Sequence, residues 1–238
     1  LDNWNDVANW SVDLTPPTPS GGKAGTNPAV SIPGQGTDVV FIADNITGGA
    51  AITTTLEQNF KVNSLTFEAS TNPLDTPVSV SIAPGAVSTS RLEIAPQMPA
   101  DGLAITTGGA ASVTISTPFK IGAAQTWTVA DTGSTLTISG ALQGEADVTK
   151  AGPGRIVLSA AADPTFNPGL TTDVTISAGS LELTNSGALG TIASSNLATV
   201  IVNGGAFYYN NGTAGTVANN LTLGGGTLSA GGNAQTYS

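Results

Sequence analysis

The sequence has neither cysteine nor histidine. Without histidine, no Ser-His-Asp or Cys-His relay and no histidine-held zinc or haem can be built. Without cysteine there is no disulfide, and a chain of 238 residues can be stable without one. Secreted bacterial proteins often avoid cysteine, and a biased composition can lose it by chance. Cations are scarce: six Lys and Arg against sixteen Asp and Glu, for a net charge of −10. Lys23, Lys61, Arg91, Lys120, Lys150 and Arg155 stand singly in the sequence. That pattern predicts no phosphate-neutralising nucleic-acid surface and no electrostatic membrane anchor. No apolar run approaches the roughly 20 residues of a membrane helix, so no membrane insertion by this segment is expected. Charged residues are only 9% and aromatics 5%. The core must then be Val, Ile, Leu and Ala, and the surface Thr, Ser, Asn and Gly. No signal peptide is visible, and a start at Leu1 leads us to expect a processed or excised segment.

What the chain does have is period-2 alternation in short runs, the mark of half-buried strands. The clearest cluster is Val148–Gly190, with runs at Arg155–Ser159, Asp173–Ser177 and Ser180–Thr184. Further runs are Asp38–Ile42, Thr53–Leu56, Lys61–Glu68, Val78–Ile82, Arg91–Ile94, Leu103–Thr106, Ser112–Ser116, Gln125–Val129, Ser134–Ser139 and Asp147–Lys150. Ala198–Val202, Ala206–Asn210, Asn220–Leu223 and Gly226–Ser229 complete the set. In Lys61–Glu68 the odd spacing of Val62 and Leu65 predicts a bend or bulge near Asn63 and Ser64. Only Ala50–Gln58 leaves room for a short helical turn. Val12–Thr37, rich in Pro and Gly and including Pro16-Pro17, reads as loop or linker.

Many short, evenly spaced strands allow a sandwich, a barrel or a solenoid. The loops favour the solenoid, because two-residue hairpin signals are almost missing: Asn203-Gly204 and Asn211-Gly212 are the only Asn-Gly pairs. The phrases TLTISGAL, VTISAGSLELT, VIVNGGAFYYN and LTLGGGTLSAGGN also resemble one another, as stacked units do. We therefore expect an all-β parallel β-helix over 38–238, behind a cap or linker segment at 1–37. Roughly ten coils at about 4.8 Å each would make a rod on the order of 50 Å long. Charge placed at Ile156 or Ile176 should break such a stack.

Val148–Gly190 resembles the autotransporter-associated β-strand repeat of bacterial surface proteins. Val148-Thr149-Lys150 and Gly152-Pro153-Gly154 match its opening, followed by Ile156-Val157-Leu158-Ser159. Phe166 stands where the repeat usually has Tyr, with Gly169 and Thr172 close behind. Ser177 to Leu183 and Gly187-Ala188-Leu189-Gly190 match its end; residues 160–163, Pro153 and Pro168 depart from it. Trp4, Ala8 to Ser11, Ile32-Pro33-Gly34, Asp38 to Phe41, Val62 to Phe67 and Gln125-Thr126-Trp127 are similar to phrases in the same proteins. The resemblance implies a right-handed parallel β-helix, extracellular or on the outer cell surface. It brings no catalytic residue, and it implies that Lys150 is scaffold.

The search for chemistry finds little. Glu145 with Asp147, and Asp163 with Asp173, are the acid pairs a glycosidase could use, but solvated loop acids are the plainer reading. Lys150 and Arg155 are the one close basic pair that a lyase could use. No phosphate loop or calcium repeat is present, so no metal or other cofactor is expected, and glycosylation-type triplets such as Asn45-Ile-Thr are a chance product of composition. Two aromatic features are candidate interaction surfaces. Trp4 and Trp10 are either a plug over the end of the core or a sugar-stacking platform. Tyr208, rimmed by Asn203, Asn210 and Asn211, either lies in the wall or meets a sugar or a neighbouring subunit; alternation puts Phe207 and Tyr209 on the opposite face. The expected function is non-enzymatic and structural: a surface stalk, a fibre or filament subunit, or an adhesin shaft. Its expected partners are further copies stacked end to end, or a host or glycan surface. The alternative is a module that binds or cleaves polysaccharide.

Overall fold

The computed structural model describes residues 2–12, 27–28, 31–43, 51–70, 76–97, 101–191, 193, 195–212, 215–230 and 235–237. Among them the chain is all-β apart from one 3-10 turn, Val7–Asn9. Three parallel sheets carry the architecture. The first has nine strands in chain order: Asp2–Asn3, Ile52–Leu56, Ser79–Pro84, Ser112–Ile115, Thr135–Ile138, Arg155–Leu158, Ser180–Leu183, Ala206–Tyr209 and Thr227–Ala230. The second has eight: Asp38–Ile42, Ser64–Glu68, Asp101–Ile105, Gln125–Val129, Val148–Ala151, Asp173–Ile176, Thr199–Val202 and Leu221–Leu223. The third has four three-residue strands: Phe60–Val62, Leu92–Ile94, Phe119–Ile121 and Leu142–Gly144. Its ladder goes on through a parallel bridge from Gly144 to Phe166.

Strands consecutive in the chain never pair in these sheets; each pairs with the corresponding strand of the period before and after. The only such pair among the described residues is antiparallel, Ser11–Val12 with Asn27–Pro28. Apart from Ser11 it lies inside Val12–Thr37, the stretch read as loop, most of which (13–26 and 29–30) is outside the described residues, as is Asn45. The Asn203-Gly204 pair, a hairpin signal by sequence, instead joins a second-sheet strand to a first-sheet strand.

Alternation dictates what each strand buries. Gln125–Val129 hides Gln125, Trp127 and Val129 and turns Thr126 and Thr128 outward. Because registers agree from period to period, inward residues line up. In the second sheet Leu65, Leu103, Trp127, Lys150, Ile176 and Val202 form one row. In the first sheet Val113, Leu136, Ile156, Leu181 and Phe207 form another. All of these are buried and, Lys150 apart, join one hydrophobic cluster.

Two expectations change, and one alternative is decided in favour of the strand expected at Thr53–Leu56. The Lys61–Glu68 run is two strands in two sheets, and the bend expected near Asn63 is a corner between them. There the Asn63 N–H donates to Thr37 O at 2.8 Å, and its side chain donates to Asp38 Oδ1 at 2.6 Å. Residues 52–56, inside the stretch left open for a helical turn, are a strand in register with Ser79–Pro84. Among the described residues the two long sheets hold eight and nine strands rather than roughly ten. The step from Leu65 to Leu103 is long and uses more chain on one rung.

Candidate functional site

Trp4 is 1% exposed. Its ring meets Trp10 edge-on at 5.2 Å, Phe60 at 5.2 Å and Phe41 at 5.9 Å. The Trp10 indole N–H donates to Trp4 O at 3.0 Å, and Asp2–Asn3 pairs with Thr54 and Thr55 at the edge of the first sheet. Trp4 therefore presents no face to a ligand, and Trp10 is only half-exposed. The geometry is that of a plug over the low-numbered end of the core.

Tyr208 points outward from the first sheet and is half-buried, while Phe207 and Tyr209 are buried, as alternation predicts. The register sets Tyr208 beside Glu182, one period earlier. Glu182 accepts from Arg155 Nη1 at 3.1 Å and from Asn210 Nδ2 at 3.2 Å. Tyr208, Glu182, Arg155 and Asn210 thus share a patch of outer face. Asn211 instead donates to Tyr209 Oη at 2.7 Å. Glu182 and Arg155 were not among the expected contact residues, because only the ladder register brings them beside Tyr208.

The sequence-level acid pairs are engaged in corners. Glu145 Oε1 accepts from Thr171 Oγ1 at 3.0 Å, and Asp147 Oδ1 accepts from the Asp173 N–H at 2.9 Å. Asp163 accepts from the Thr165 N–H and hydroxyl and from Gln143. Those bonds, the Thr165 backbone first, hold its carboxyl below the usual value against burial. Among the described residues no three acidic side chains converge as metal ligands would.

Lys150 is 1% exposed and occupies an apolar row. Among the described residues its ammonium has no carboxylate partner; it donates to Ala151 O and Gly152 O at 2.7 Å and to Ala178 O at 3.1 Å. Desolvation pushes its pKa down from 10.5 to about 8, whereas three carbonyl acceptors favour the charged form. It stands beside a cavity of about 10 Å³ whose other lining residues include Trp127, Phe166, Leu158 and Leu181. That is space for about one water and no substrate.

One grouping was invisible in the sequence. Lys61, Glu93, Lys120 and Gln143 face outward in one row of the third sheet. Glu93 lies 3.1 Å from Lys61 Nζ, 3.1 Å from Lys120 Nζ and 3.8 Å from Arg91 Nη2. Cations that stand singly in the chain are therefore gathered in space. Burial alone would raise the Glu93 carboxyl; hydrogen bonds and charge from Lys120 and Lys61 outweigh it and hold the group below its usual value.

Comparison with known proteins finds no matching family model, no matching curated protein and no matching solved structure.

Proposed function

We propose that this chain is a non-enzymatic structural rod of the extracellular or outer cell surface, a shaft that carries or spaces other parts. In this reading the three sheets close into a right-handed parallel β-helix. The observation that carries it is the parallel pairing, period on period, of nine strands in the first sheet and eight in the second, with a register shift between Asp101 and Leu103. Such a stack joins each unit only to its neighbours and gains length by repetition. Nine strands at roughly 4.8 Å spacing span about 38 Å. The likeness of Val148–Gly190 to the autotransporter-associated repeat supports surface display. End-to-end stacking of copies remains part of the proposal, though Trp4 and its aromatic neighbours fill the low-numbered end.

Electron microscopy and small-angle scattering of the purified protein test this reading. Rods of uniform width are expected, either single or joined end to end. A compact, near-spherical particle would refute the solenoid, and release of reducing sugar from polysaccharides would refute the non-enzymatic role.

A second reading, glycan recognition, is favoured by the outward Tyr208 beside Glu182, Arg155 and Asn210. A ring flanked by planar hydrogen-bonding groups suits a sugar's apolar face and hydroxyls. Glycan-array binding lost in Tyr208→Ala would support it, and an empty array would reject it.

A further inference from the structure

The chain has six cations, and Lys23 lies outside the described residues. Lys150 is buried against carbonyls, and Arg155 is paired with Glu182. The remaining three, Lys61, Arg91 and Lys120, all converge on one carboxylate, that of Glu93. Their side chains are 41%, 34% and 35% exposed, while that of Glu93 is 9% exposed. The acid is pinned underneath and the donors face solvent. Arg91 Nη1 also donates to Gln143 Oε1 at 3.2 Å, and Gln143 passes the contact on to Asp163 at 3.3 Å. Asp163, the acid at the far end, is already held by Thr165.

The shape of this patch is set by the short strands. Each third-sheet strand has three residues and turns a single side chain outward. The patch is therefore a stripe one side chain wide, running across the strands, with the Lys61 and Lys120 backbones two strand spacings apart, about 9.6 Å, and their ammonium groups drawn inward to Glu93. We propose that this stripe is a binding site for an acidic glycan, a linear saccharide bearing carboxylate or sulfate groups that lies along the row. A line of donors suits an extended polymer. A nucleic-acid duplex needs phosphate contacts spread over a broader face. The −10 charge of the whole chain opposes any polyanion at long range, but salt screens it beyond about 10 Å at 0.1 M. At the stripe itself three cations face two acids, Glu93 covered beneath them and Asp163 at the far end. Glu93 holds the two ammonium groups in line and also limits the site's net charge.

The proposal does not depend on the rod or on the Tyr208 patch. The test measures binding of heparin, of alginate and of neutral dextran by calorimetry at several salt concentrations. Heparin or alginate should bind at about 0.1 M salt, where the chain's own charge is screened, and weaken about tenfold toward about 0.3 M, as release of a few counterions requires. Dextran should not bind, and the two acidic polymers separate sulfate from carboxylate recognition. Lys61→Gln with Lys120→Gln should weaken binding about tenfold or more. Glu93→Gln should tighten it, an outcome that a purely structural salt bridge does not produce; circular dichroism checks that each variant is folded. No binding of either acidic polymer at about 0.1 M salt would overturn the proposal. So would unchanged binding in the double variant, or weaker binding in folded Glu93→Gln. The wild-type salt slope reads out the site even if a variant fails to fold.

Discussion

The Lys150 ammonium donates to the carbonyl of Ala178, in the next period of the stack, at 3.1 Å. It also binds Ala151 O and Gly152 O of its own corner, so one side chain ties two successive corners. Gly152 at φ +73° and Gly179 at φ +65° let the backbone turn tightly enough to offer these oxygens. A Cβ on Gly179 would stand 2.3 Å from Gly154 O and 2.8 Å from the ammonium itself.

The first prediction follows from the desolvation of that ammonium. Its folded pKa, about 8, lies below the ordinary 10.5. Between those values the unfolded chain holds a proton that the folded chain has released, so stability rises with pH across the window. Below pH 8 the ammonium carries a desolvation cost of at most about 3 kcal/mol, offset by its carbonyl bonds. Lys150→Met has no such group. Urea unfolding of both proteins should show the wild type gaining on the variant from pH 8 to 10.5. A flat difference would mean that the carbonyls, not desolvation, set the ammonium's affinity for its proton.

The second concerns buried asparagines that bridge the same kind of gap. Asn196 is 2% exposed. Its Nδ2 donates to Phe166 O at 2.9 Å, in the previous period, and its Oδ1 accepts from the Thr191 N–H at 2.7 Å. Asn167 reaches forward to Leu197 O at 2.9 Å, in the next period. Asn196→Ala removes the buried donor to the Phe166 carbonyl, so it should cost about 1–3 kcal/mol. Asn210→Ala, at an exposed site, should stay within about 0.5 kcal/mol. Equal losses in chemical denaturation would remove Asn196 from this bridging role.

How much of this was legible beforehand depended on element length. Runs of four or five residues, such as Gln125–Val129 and Asp173–Ile176, alternate long enough to be read. The third-sheet strands Phe119–Ile121 and Leu142–Gly144 hold three residues each and show no period. Without that sheet the register Lys61–Glu93–Lys120 cannot be seen, and the cations look scattered. Tyr208 was legible because neighbours on its own strand decide its face. Its contact with Glu182 was not, because that depends on which strand stacks beside it. The burial of Trp4 likewise depends on Phe41 and Phe60, which reach it only through tertiary structure.

The third prediction concerns acid. Glu93 holds its carboxyl below the ordinary 4.5 through Lys120 and Lys61, despite burial. A carboxyl depressed in the folded state contributes stability above its unfolded value, and that contribution is lost as pH falls through the folded value. Because the lysines are more than a third exposed, screening keeps the contribution to about 1 kcal/mol. Melting curves of wild type and Glu93→Gln should differ at neutral pH and converge below pH 4.5. Curves that stay parallel would show that the ion pairs contribute nothing.

The last prediction uses the one-dimensional character of the stack. Trp4 closes the low-numbered end with Trp10, Phe41 and Phe60 around it. Ile156 sits in the middle, 0% exposed, with Leu136 and Leu181 as its register partners. Trp4→Ala removes a large buried ring and should cost about 3–5 kcal/mol. Where contacts run only between neighbouring periods, that loss stays local. Hydrogen exchange should quicken at Asp38–Ile42 and Ile52–Leu56 and stay slow at Ser180–Leu183. Ile156→Asp puts an unpaired charge inside the stack instead, with no end to fray, and should open the flanking strands on both sides at several kcal/mol. If Trp4→Ala unfolds the whole chain in one cooperative step, coupling extends far beyond nearest neighbours. The plug would then be part of a global core rather than a cap.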